Sequence, residues 1–166
     1  MILAIDVHYK QTYAKCVGVL FDWQDEKPQQ VIIEKLTNVA EYVPGLFYKR
    51  ELPCILAVIE KINLQDLEAI IVDGHVFIDN DFGSGLGGHV WEALSHKKPI
   101  IGLAKRAFYA NEKTNVPLLR GSSENPIYIS AIGCELKEVV EKIKHMHGKF
   151  RIPTILQILD TETKAD

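Results

Sequence analysis

The chain has few of the features that mark a specialised class. It carries only three cysteines in 166 residues, Cys16, Cys54 and Cys134. They are widely spaced, odd in number and free of any CxxC pair, which excludes a disulfide framework and a zinc knuckle and points to a reducing, cytoplasmic setting. No stretch approaches the roughly 18 apolar residues that a membrane span needs. The opening MILAIDV lacks the basic region and long apolar run of an export signal, so a soluble chain that is not exported is expected. Excess positive charge is also missing: 19 Lys and Arg stand against 22 Asp and Glu, a net charge of -3. Indiscriminate binding to nucleic acid is thereby excluded, and any such partner must meet a local patch. There is no repeat or low-complexity run. What is present is 47% apolar content, enough for one sizeable core, and a single domain over 1–166 is expected.

Apolar periodicity divides the chain into two halves. Residues 2–7 form a short apolar run broken only by Asp6. Residues 12–22 alternate, with Tyr13, Lys15, Val17, Val19 and Phe21 on one face, and 29–36 follow after a turn at Pro28. Three strands joined this tightly predict an antiparallel meander. The rhythm then changes to helix over 49–62, strand over 68–73, helix over 85–96 and strand over 99–104, which predicts parallel strands with helical crossovers. A short strand over 126–131, a helix over 135–147 and a last helix opened by Pro153 complete the chain. The expected class is α/β, a mixed sheet with the meander first, parallel strands after, and helices on both faces.

Two acids stand where a core should be. Asp6 lies between Ile5 and Val7, and Asp73 ends the run Ile70, Ile71, Val72. A lone buried carboxylate is costly without a cation. Each acid also has an ordinary reading, as a helix cap, a partner of a nearby Lys or Arg, or a strand end in water. Together they suggest more, because adjacent strands of a mixed sheet can bring both to the edge where ligands collect. Glu51 enters from the intervening helix as a third. Carboxylates so gathered stay ionised near neutral pH when a divalent cation neutralises them, and an oxygen-only donor set favours Mg²⁺ over zinc. Gly74 would leave room for a substrate beside the metal, and His75 would donate to a phosphate or move a proton, unless it is an ordinary strand-end histidine.

At this point the residues resemble the endonuclease V family, whose fold is ribonuclease H-like. AIDVHY (4–9), EYVPGLFYKRELP (41–53), VDGH (72–75), GLGGHV (85–90), PIIGLAK (99–105) and RIPTILQILD (151–160) are similar to six family blocks in the family's order. The resemblance implies a Mg²⁺-dependent endonuclease, with Mn²⁺ as the other candidate metal. It would hydrolyse a phosphodiester near a deaminated base, deoxyinosine in DNA, as a step of DNA repair, leaving a 3′ hydroxyl and a 5′ phosphate. It implies that Asp6, Glu51, Asp73 and Asp160 bind metal and that Lys105 serves the scissile phosphate. It also implies that Tyr42 and Pro44 form a wedge between bases, and that Gly45, Phe47, Gly74 and Phe108 surround the extracted base. From the residues alone, Asp160 reads first as a solvated helix residue near a polar terminus, and Lys105 equally as part of a surface run with Lys97, Lys98 and Arg106. The basic residues of 137–151 can be read either as phosphate contacts or as one face of an amphipathic helix.

The chain departs from the family pattern in its base-reading shell. Phe47 and Phe108 replace leucines, Val76 replaces the last glycine of DGHG, His8 replaces a small residue, and Leu52 replaces the glycine of REGP. The sequence begins at the first strand, so the family's N-terminal helical segment is expected to be absent or trimmed. Two alternatives follow: an endoribonuclease for inosine-containing RNA, and a nucleic-acid-binding module with an altered pocket and little nuclease activity.

Overall fold

The computed structural model describes residues 1–41, 43, 44, 46 and 48–166. Strands β1 (Ile2–Tyr9), β2 (Ala14–Phe21) and β3 (Gln30–Leu36) pair antiparallel, as their short connections require. Helix α1 (Tyr48–Ile59) then leads to β4 (Ala69–Asp73), which lies parallel to β1, and α2 (Leu86–Ala93) leads to β5 (Ile100–Ala104), parallel to β4. Strands β6 (Val116–Leu118) and β7 (Ile127–Ile132) and helices α3 (Leu136–Lys144) and α4 (Thr154–Lys164) follow. The seven-stranded sheet runs β3-β2-β1-β4-β5-β7-β6. Among the described residues no helix is long and apolar enough to cross a membrane.

Within the expected mixed sheet, the second half differs from the sequence reading in two details. Strand β7 runs antiparallel to β5 rather than parallel, because no long helical crossover intervenes between them; the chain reaches β7 through β6, with which it also pairs antiparallel. Strand β6 has only three residues, one of them Pro117, and gives no alternation to read. Helix α2 also ends short of residue 96. Lys97 Nζ closes it by donating to the carbonyls of Trp91 (2.5 Å) and Leu94 (3.0 Å), which meets the negative end of the helix with a cation.

The two-residue period of the strands decides which face each side chain serves. Leu3, Ile5, Ile70, Val72 and Ile100 point toward α1 and α2, where they pack with Cys54, Ile55, Val58 and Val90. Ile2, Ala4, Ile71, Ile101 and Leu103 point the other way, against Val139 and Ile143 of α3 and Ile155, Leu156 and Leu159 of α4. Two apolar cores therefore flank one sheet.

Behind β4 the chain crosses β5 at backbone distance. A Cβ on Gly102 would lie 2.6 Å from the Gly74 carbonyl oxygen and 2.8 Å from the Val76 nitrogen. Neither atom is the end of a flexible side chain. Gly102→Ala is expected to destabilise the fold by about 1–3 kcal/mol, measured as a lower urea midpoint; an unchanged midpoint would show that the loop after β4 is free to move away.

Candidate functional site

The parallel register of β1 and β4 runs Ile2 with Ala69 through Ile5 with Val72, so Asp6 and Asp73 come next on neighbouring strands. By the same period of two, Asp6 follows Ala4, Asp73 follows Ile71 and Lys105 follows Leu103, all toward the α4 side. Helix α4 covers that face with Ile155, Leu156, Leu159 and Thr163 buried. Asp160, one turn beyond Leu156, belongs to the same stripe. A cleft of about 210 Å³ results, lined by Asp6, Asp73, Lys105 and Asp160 over an apolar floor that includes Leu103 and Leu156. Glu51 approaches from α1 on the opposite face. With Asp6, Asp73 and Leu86 it lines a second cavity of about 70 Å³. Asp6 and Asp73 thus form a wall common to both cavities.

Burial and mutual repulsion set the electrostatics. The Asp6 carboxyl is pushed up from 3.8 to about 7, first by burial and then by the charge of Asp73; the Val7 amide, donating at 2.9 Å, pulls the other way. Glu51, 8% exposed, is pushed up from 4.5 to about 8, again by burial first. Tyr9 lowers it in part, and Asp6 and Asp73 raise it further. The Tyr9 hydroxyl faces Glu51 without making a hydrogen bond of regular geometry. Asp73 keeps 42% of its side chain open, yet the surrounding walls still raise it, opposed by Lys105 Nζ at 3.7 Å. Asp160 is held by Lys164 Nζ at 2.9 Å.

These side chains fit a hard divalent cation in kind. They are all oxygen donors, and burial and mutual repulsion raise the carboxyls of Asp6, Glu51 and Asp73. Their spacing is looser. Among the described residues no three His, Cys, Asp or Glu side chains stand close enough to share one ion as they lie. Two of the carboxylates have lysine partners instead, Asp73 with Lys105 at 3.7 Å and Asp160 with Lys164 at 2.9 Å.

The remaining candidates fall in several places. Gly74 has φ +151°, a conformation that side-chain-bearing residues rarely adopt, so its glycine is required by the backbone as it leaves β4. The His75 ring lies 3.0 Å from the Arg106 carbonyl through Nε2, while its buried Nδ1 has no partner among the described residues; burial lowers its pKa and favours the neutral ring. Neither residue lines the acidic cleft, and nor does Phe108, which is half exposed beside Tyr109. Pro44 sits in an exposed turn. Tyr42, Gly45 and Phe47 lie outside the described residues. The basic residues of 137–151 are mostly engaged elsewhere: Lys142 pairs with Glu68 at 2.9 Å, at the opposite end of β4 from Asp73.

Sequence reasoning missed Tyr9 and Lys164, and it grouped Arg151 with the basic residues of 137–151 as a phosphate contact or a face of an amphipathic helix. The i,i+4 spacing of Asp160 and Lys164 was a readable signal. Arg151 gave none. Its guanidinium donates to the carbonyls of Lys105 and Pro126 and ties the segment after β5 to the approach to α4.

A family model described as Endonuclease V matches residues 1–161. Among curated relatives, the endonuclease V of Pyrococcus horikoshii is 30% identical over 99% of this chain and 73% of its own. That of Thermosipho melanesiensis is 27% identical over 92% and 74%. Among solved structures, the Ciona intestinalis endonuclease V, in complex with a 24mer DNA containing an inosine followed by a ribo-adenosine, superposes with a TM-score of 0.81. Its identity is 17%, with 98% of this chain and 84% of that one covered. Human endonuclease V gives a TM-score of 0.75 at 19% identity over 98% and 82%.

The raised carboxyls fix the sign of a pH dependence. Folding holds protons on Asp6 and Glu51 that the unfolded chain, near 3.8 and 4.5, has already released. Their contribution is complete at low pH and is lost as pH rises through about 7 and then about 8. In chelator-treated protein, stability should therefore fall progressively from about pH 4 to about pH 8 and then level off, and Asp6→Asn should flatten that slope and stabilise the protein at its alkaline end by on the order of 1 kcal/mol. Thermal melts across that range check both; a metal-free melting temperature that rises from about pH 4 toward about pH 8 would contradict the assignment.

Proposed function

The chain belongs to the endonuclease V family, and from that membership we propose that it is a metal-dependent endonuclease that hydrolyses a phosphodiester near inosine in DNA. The observation that carries the reading is the meeting of Asp6, Asp73, Lys105 and Asp160 in one cleft, with Glu51 behind the shared wall. Asp6, Glu51, Asp73 and Asp160 are the residues that would hold Mg²⁺ or Mn²⁺. The ion, when bound, lowers the pKa of the attacking water and stabilises charge on the phosphate and the leaving 3′ oxygen.

The chain's own groups do the rest. Asp6 and Asp73 stand on paired strands, so their separation is fixed by the sheet rather than by flexible loops. Lys105 meets Asp73 at 3.7 Å, and from that position its ammonium can neutralise a non-bridging phosphate oxygen. Arg151 and His75 both reach the main chain of residues 105 and 106, which holds the Lys105 segment against the cleft. The apolar floor of Leu103 and Leu156 limits the water around the acids and strengthens every charge interaction among them. Phe108 and Tyr109, exposed on the loop that follows Lys105, offer aromatic faces to an unpaired base.

A second reading keeps the chemistry and changes the polymer. The Ciona relative was solved on DNA whose inosine precedes a ribo-adenosine, so a ribose beside the modified base is compatible with this fold.

Matched oligonucleotides test the proposal: inosine in DNA, inosine followed by one ribonucleotide, inosine in RNA, uracil in DNA, and undamaged DNA, each with Mg²⁺ and with chelator. Cleavage should require both inosine and the ion, and the DNA and RNA arms decide the polymer. Asp73→Asn should reduce the single-turnover rate by about a hundredfold or more, whereas Lys105→Met should lower the rate with Mg²⁺ binding retained. Binding of every oligonucleotide with cleavage of none would replace the enzyme by a binding module.

A further inference from the structure

Strand β2 is buried along its whole length and contains one charged residue, Lys15, which is 3% exposed. An ammonium in such a place is costly unless its donors are met. They are met by α4. Lys15 Nζ donates to the carbonyl of Glu162 at 2.6 Å and to that of Ala165 at 2.8 Å. These belong to the carboxyl end of the helix, where carbonyls lack intrahelical partners and the helix dipole is negative. Lys15 shares its face of β2 with Val17, Val19 and Phe21, toward α4, and pairs with His8, two residues along β1 from Asp6. From the exposed hairpin, Lys10 Nζ adds a bond to the Lys164 carbonyl at 2.8 Å. The turn so clamped is the one that bears Asp160, whose own carbonyl accepts from the Thr163 hydroxyl at 2.7 Å.

We propose that Lys15 is a positioning residue: by holding the last turn of α4 on the sheet it fixes the Asp160 carboxylate at the cleft opposite Asp6. Filling alone does not explain it, since a methionine of similar length would occupy the space without burying a charge. Among the described residues, the groups that the charge serves are carbonyls two and five residues beyond Asp160. The inference rests on the nuclease reading of the cleft, and it adds a residue that reaches the site only through α4.

Lys15→Met and Lys15→Arg, compared with wild type, separate positioning from packing. In Lys15→Met, amide exchange over 160–165 should accelerate about tenfold, Mn²⁺ affinity should fall by a similar factor and kcat should drop. KM for the inosine oligonucleotide should stay within about twofold, because nothing in the substrate's own contacts has changed. Lys15→Arg, which still donates, should recover most of each effect. If Lys15→Met does not fold, Lys15→Gln, polar but too short to reach both carbonyls, carries the same comparison. A variant with a lower melting temperature but wild-type exchange over 160–165, Mn²⁺ affinity and kcat would overturn the proposal and leave the nuclease reading standing. A wild-type chain that neither binds Mn²⁺ nor cleaves would overturn the nuclease reading and the claim on Asp160 with it.

Discussion

Asp6, Glu51 and Asp73 face one another across two adjoining cavities at the carboxyl edge of the sheet, and their repulsion under burial is the constraint around which the rest is arranged. Carboxyl groups pushed up to about 7 and about 8 are unfavourable in the ionised form. They persist because β1, β4 and α1 are each held by large apolar contacts that a few unfavourable charges do not undo. Strain of this kind, concentrated where a cation would relieve it, is a common property of functional sites.

The sheet makes the arrangement reproducible. Parallel pairing of β1 with β4 sets Asp6 beside Asp73, and pairing of β4 with β5 brings Lys105 to the same edge. The two helical layers then contribute from opposite sides, Glu51 from α1 and Asp160 from α4. A site built this way uses both apolar cores, so a shift in either layer is felt at the acids.

Cations complete the picture, each with a different task. Lys105 and Lys164 lie against carboxylates of the cleft. Arg151 holds the main chain at Lys105, and Lys15 holds the carbonyls that end α4. With nearly balanced charge overall, the protein concentrates its electrostatic contrast at this edge instead of spreading it over the surface.

Much of this was legible in the sequence. The meander, the two helical crossovers, and the acids within the first strand and at the end of the fourth follow from apolar periodicity and from the cost of burying Asp6 and Asp73. The alternation over 12–22 even placed Lys15 on the face with Val17 and Val19. The antiparallel return of β7, the tie from Arg151 to Lys105 and the capping of α4 by Lys15 were not legible, because each depends on a backbone carbonyl more than twenty residues away. Periodicity reports which face a residue occupies, since that is fixed by local backbone geometry. It does not report what stands opposite, because a main-chain oxygen has the same identity at every position, and only the folded chain decides which one a lysine or arginine will meet.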